Sequence, residues 1–170
     1  LPVFEPTPHT GEQYAMPGLM DLQAARKPDK VLVRFETGET RTWAQTRDKA
    51  RATATALQAC GVAKGDIVAA WAPNSAALMQ AWFGANYAGA ALAPINTSFR
   101  GRLLEHAIAK CQARLLIIHP DLVERLEGLS LGQVERLILT GEAATAVDLA
   151  IPVEPASALQ GDASAYAEVA

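Results

Sequence analysis

The chain has 170 residues, half of them hydrophobic and about a fifth charged, which is enough for one globular domain with a buried core. Its formal charge of −3 leaves no basic footprint for nucleic acid, and no apolar run reaches the roughly 20 residues that a bilayer span requires. Two cysteines, Cys60 and Cys111, read as small thiols inside helices rather than as a disulfide, and residues 1–10 lack a charged start followed by an apolar stretch, so a cytoplasmic protein is expected.

Residues 1–16 carry three prolines without periodicity and read as an arm. A short helix is predicted over 19–26, stopped by Pro28. Val31-Leu32-Val33-Arg34-Phe35 and Thr40-Arg41-Thr42 flank a turn containing Gly38, which predicts a β-hairpin. Thr42 followed three positions later by Gln45 is a capping box, and Ala50, Ala54 and Leu57 continue a buried helical stripe until Gly61. From there strands and helices alternate. Strands are predicted at 67–71, 90–93, 115–118 and 136–139, and helices at 75–88, 100–111 and 121–129. The strands are continuous apolar runs, as expected when both faces of a sheet are covered. Alternation of this kind predicts an α/β fold: a mostly parallel sheet with helices on both faces, plus the N-terminal hairpin. Helix 75–88 is apolar nearly all round, with Leu78, Met79, Trp82, Phe83 and Tyr87, so it needs cover on more than one side. Residues 141–170, rich in Ala and Pro, lose the rhythm and read as loop and loose helix.

Chemistry-bearing motifs are scarce. The sequence contains no G-x-x-x-x-G-K-[ST] phosphate loop, no G-x-G-x-x-G after a strand and no G-x-S-x-G elbow. His9, His106 and His119 are scattered, and no metal-ligand spacing occurs.

A longer pattern does emerge from six pieces in order. They are Thr42-Trp43 with Ala50, Ala54 and Leu57; Gly61-Val62 with Lys64-Gly65-Asp66; Ala72-Pro73-Asn74-Ser75; Gly84 with Gly89-Ala90; Ala93-Pro94-Ile95-Asn96; and Ala113-Arg114 before an apolar strand. This pattern, over residues 19–140, resembles the N-terminal part of the adenylate-forming acyl-CoA ligases. Ala81-Trp82-Phe83-Gly84 and Pro94-Ile95-Asn96 look most like the crotonobetaine/carnitine-CoA ligases among them.

The resemblance implies the first subdomain of that family's large domain, with 1–18 as an arm, 19–140 as the subdomain and 141–170 as a tail ahead of a phosphate loop. Complete relatives use ATP, Mg²⁺ and coenzyme A to turn a carboxylic acid first into an acyl-adenylate and then into a thioester. Their Ser/Thr/Gly-rich phosphate loop, aromatic-Gly-x-Thr-Glu segment, ribose-binding Asp and C-terminal Lys have no match here, so no catalytic residue and no metal ligand carries over, and the chain alone is expected to be inactive. The chain begins with Leu1 and stops where the phosphate loop would follow, so it reads as a fragment whose partners are the later parts of the same protein. Self-association of the fragment is expected from the apolar helix. In some relatives an arginine just after the Pro-hydrophobic-Asn turn contacts a coenzyme A phosphate. The strictly matching position is Ser98, but Arg100 and Arg102 lie close by at a helix start, where an anion is favoured, and Arg100 is the candidate cofactor contact. The competing readings are a stand-alone α/β binding or regulatory module and a nucleotide-binding domain with an unrecognised loop.

Overall fold

The computed structural model describes residues 15–142 and 149–169. Helix α1, Met16–Arg26, starts three residues before its predicted position because Pro17 fits a helix's first turn, where no amide donor is needed. The boundary expected at residue 18 therefore falls inside α1, and residues 1–14 of the expected arm lie outside the described residues.

Strands β1, Val31–Arg34, and β2, Thr40–Thr42, pair antiparallel in a two-stranded sheet of their own. Thr42 then caps α2, Trp43–Ala59: its hydroxyl accepts from the Gln45 amide and the Gln45 side chain accepts from the Thr42 amide, the reciprocal pair expected from the sequence. The helix ends at the C-cap Cys60, and Gly61 turns the chain at φ 88°.

Strands β3 (Ile67–Trp71), β4 (Ala91–Pro94), β5 (Leu115–Ile118) and β6 (Arg136–Leu139) form one parallel sheet with α3 (Ala76–Tyr87) and α4 (Gly101–Cys111) in the first two crossovers. The third crossover was expected to hold a helix over 121–129. It is a 3-10 segment, Pro120–Leu126, closed by Gly128 in the left-handed region. Ser75 caps α3 by accepting from the Leu78 amide.

Alternate strand residues feed two separate cores. Val68, Ala70, Leu115, Ile117 and Ile138 face α1, α2 and α3, whereas Ala69, Trp71, Leu116, Ile118, Leu137 and Leu139 face α4 and the 3-10 segment. The result is three layers, which is why the strands read as unbroken apolar runs.

The tail departs from its expected looseness. Val153–Glu154 adds a fifth parallel strand, β7, beside β6, and two 3-10 turns follow, Ala156–Leu159 and Ala163–Ala165. Short turns without helical periodicity hide from a sequence reading, but Pro152 and Pro155 on either side of β7 keep the backbone extended there. Part of α3 gains its second cover from this tail. Tyr87 is 1% exposed with the Tyr166 ring edge-on to it at 5.5 Å, while Trp82 stays 47% exposed.

Candidate functional site

The strand order β4-β3-β5-β6-β7 is the doubly wound order in which the chain leaves the first strand toward one edge and later strands build toward the other. The connection from β3 runs through α3 on one face, and that from β5 runs through Pro120–Leu126 on the opposite face. The two connections diverge between adjacent strands at the carboxyl-end rim of β3 and β5, the position where ligands bind in open sheets of this kind.

The loops there are set by short polar contacts. After β3 come Pro73 and Asn74, both exposed, then the cap Ser75. After β5, the His119 amide donates to the Trp71 carbonyl at 3.1 Å, and His119 Nδ1 accepts from the Asp121 amide at 3.3 Å. After β4, the fully buried Trp71 indole donates to the Asn96 carbonyl at 3.0 Å, tying this loop to the end of β3. Asn96 Oδ1 in turn accepts from the Ser98 amide at 2.8 Å.

Arg100 lies on this same rim. It is the N-cap of α4 rather than a residue within it, because its backbone is still extended at φ −145°. Its side chain makes no cap bond. Instead the exposed guanidinium folds back, one nitrogen donating to the Thr97 and Phe99 carbonyls at 2.6 Å each. Arg102 is exposed on the first turn of the helix and Ser98 is exposed in the loop. The first-turn amides of α4 thus lack a side-chain partner and sit beside a guanidinium, an arrangement suited to an anion. A metal fits less well: among the described residues no three His, Cys, Asp or Glu side chains group so as to hold one.

The two described histidines stay apart, and His9 lies outside the described residues. His106 is exposed on α4 and His119 is partly buried on the rim, 3.7 Å from Asp121. Sequence reasoning missed the His119–Trp71–Asn96 seam, since its three members come from different strands and only the strand order brings them together.

The opposite, amino-terminal edge of the sheet carries a cleft of about 290 Å³, between Cys60, Asp66, Gln112, Arg114 and Glu135. Arg114 and Glu135 are paired across its mouth at 2.7 Å, with both groups in solvent. The carboxyl end of Glu135 is held below the usual carboxylate range, first by its hydrogen bond from Arg114.

Residues 20–166 match the family model described as AMP-binding enzyme. The chain belongs to the AMP-binding enzyme family. Among its relatives, the chain is 38% identical over 103 residues to "Probable acyl-activating enzyme 21" of Arabidopsis thaliana, covering 58% of this chain and 19% of that one. It is 32% identical over 115 residues to the feruloyl-CoA synthase of an Amycolatopsis species, covering 68% of this chain and 23% of the relative. Among solved structures, the Mycobacterium tuberculosis fatty acyl CoA synthetase superposes with a TM-score of 0.67 at 26% identity, over 75% of this chain and 27% of that one. The chain therefore spans about a fifth of the length of the relatives it matches in sequence. The three-layer sheet is accordingly the fold of the N-terminal domain of adenylate-forming enzymes, as the sequence pattern implied.

Proposed function

We propose that this chain is the N-terminal portion of an AMP-forming acyl-CoA ligase, which joins a small carboxylic acid to AMP at the expense of ATP and passes the acyl group to coenzyme A. The single observation that carries the reading is the family match over residues 20–166. The acyl-activating and CoA-ligating names of the relatives support the reaction class. Within it, the Ala81-Trp82-Phe83-Gly84 and Pro94-Ile95-Asn96 segments favour a crotonobetaine- or carnitine-type acid. The described residues supply a scaffold and one anion contact, and the groups that act on ATP and Mg²⁺ belong to later segments that pack against this one. Among the described residues no helix is long and apolar enough to cross a membrane, and the cytoplasm is the proposed location.

Arg100 is the proposed contact for a phosphate of coenzyme A. Breaking its two carbonyl contacts to meet a phosphate exchanges neutral acceptors for a charged one, which strengthens each bond.

Two measurements test this reading. The purified chain should not catalyse carboxylate-dependent ATP–pyrophosphate exchange, and exchange by the pure chain would overturn the division of labour. In a protein that includes the later segments, Arg100→Ala should raise the coenzyme A KM roughly ten- to a hundredfold while adenylation is unchanged, since a charge-assisted bond is worth about 1.5–3 kcal/mol. An unchanged KM would return Arg100 to the role of a loop clip.

A further inference from the structure

The tail is held to the domain by a small set of specific contacts around one buried apolar anchor, Leu159, with Ala158 and Tyr166 packed at the edge of the same core. In the stretch 156–166 only Leu159 is buried. Four groups from four segments meet at its end. Asp21 of α1 accepts from Arg51 of α2 at 3.0 Å and from the Tyr87 hydroxyl of α3 at 2.7 Å. Tyr166 of the tail donates its hydroxyl to the Tyr87 carbonyl at 3.1 Å, and its ring lies edge-on to Tyr87 and beneath the Arg51 guanidinium at 5.4 Å. Arg51 Nε is buried and has no hydrogen-bond partner among the described residues, so its contact there is with the rings.

A second seat lies upstream. The Gly161 amide donates to the Ala52 carbonyl at 3.2 Å, and a Cβ on Gly161 would stand 2.5 Å from that oxygen and 2.8 Å from the Ala56 nitrogen, so only glycine lets the strap lie on α2. Beside it, Thr53 donates its hydroxyl to the Leu159 carbonyl at 3.1 Å and accepts from Gln80 at 2.9 Å.

We propose that residues 156–166 form a strap that opens as a unit while the sheet stays folded, with Tyr166 as its pin and Arg51 as the shared socket. Segments with few buried apolar groups open well below the global unfolding free energy. The pin is separable from the contacts that hold α1. Removing Tyr166 leaves the Asp21–Arg51–Tyr87 set intact, whereas removing Arg51 strips both the strap and α1 of a partner. This device concerns the chain's own dynamics and stands whether or not the ligase reading holds.

Native-state hydrogen exchange on the full chain tests it. Tyr166→Ala should speed amide exchange in 156–166 by about tenfold or more and leave α1, β3, β5 and β6 at their wild-type rates. Gly161→Ala should give the same pattern with the tyrosine intact, and Arg51→Met should add faster exchange in α1. Tyr166→Phe, which keeps the ring contacts and loses only the hydroxyl bond, should show a smaller effect and guards against a variant that fails to fold. Unchanged exchange in 156–166 for both Tyr166→Ala and Gly161→Ala would overturn the strap. So would equal acceleration in the sheet strands, because Tyr166 would then be an ordinary part of the global core.

Discussion

Gly84 shows how tightly α3 lies on α2. A Cβ at this position would stand 2.4 Å from Thr53 Cγ2 and 2.6 Å from Thr53 Cβ. Thr53 cannot swing aside freely, because its hydroxyl bridges Gln80 and the Leu159 carbonyl. Gly84→Ala should therefore destabilise the chain by about 1–3 kcal/mol despite the better helix propensity of alanine, and a lower urea midpoint with an unchanged slope would show it. A midpoint that rises would mean that the two helices can separate at no cost. Cys111 gives a second residue-scale test. Burial pushes its thiol up, and its Sγ lies 3.2 Å from the Ala107 carbonyl. Alkylation of Cys111 in the folded chain should stay slow across the ordinary thiol range, quickening only at higher pH, which mass-spectrometric mapping of the labelled site would follow.

At the scale of elements, the cap of α2 can be weighed directly. Thr42→Ala removes both the hydroxyl acceptor for Gln45 and the reason for Gln45 to reach back, and should cost about 1 kcal/mol, with Thr42→Ser restoring most of it in a thermal melt. This cap, the hairpin before it and the four strands from Ile67 onward were legible in the sequence because each rests on local signals: a Thr-x-x-Gln spacing, a glycine turn, unbroken apolar runs. The strap was not legible. Its contacts join residues such as Asp21, Arg51, Tyr87 and Tyr166, and no local pattern announces that two tyrosines and an ion pair will share one corner. The candidate site was half legible. Arg100 stood out beside a helix start, but its clasp on the Thr97 and Phe99 carbonyls depends on a backbone conformation that composition does not encode.

For the molecule as a whole, the two packed tyrosines make stability sensitive to alkali. Burial first, then the hydrogen bond to Asp21, push the Tyr87 phenol above its ordinary value, and burial followed by the charge of Glu168 does the same to Tyr166. A folded state that holds protons more tightly than the unfolded chain keeps its full stability below the ordinary tyrosine pKa of about 10 and loses it as pH rises beyond. The urea midpoint should thus fall between pH 9 and pH 11 by more in the wild-type chain than in Tyr87→Phe, and parallel losses would remove tyrosine from the account. The outer face of α3 sets a second global property. Trp82 is 47% exposed beside partly buried Leu78 and Met79, and burying such a ring is worth about 1.5–3 kcal/mol. The isolated chain should self-associate in sedimentation runs at rising concentration, and Trp82→Ser should weaken this; identical behaviour of the two proteins would place any association elsewhere.

The strand order also governs how the chain comes together during synthesis. The interior strand β3 needs β5 as a neighbour, and the pair Val68↔Leu115 is separated by the whole of α3, β4 and α4. At a ribosomal pace of about 5–20 residues per second, β5 emerges roughly 2–9 s after β3. For that interval one edge of Ile67–Trp71 has no strand beside it, and β4 reaches the other edge only about halfway through it. Of the helical pair α2 and α3, the first is already made and the second is completed during that wait, and together they cover the Val68 and Ala70 face of β3. Its closeness at Gly84 and Thr53 then matters twice, once for the finished fold and once for keeping an apolar face of the nascent strand covered until its second neighbour arrives.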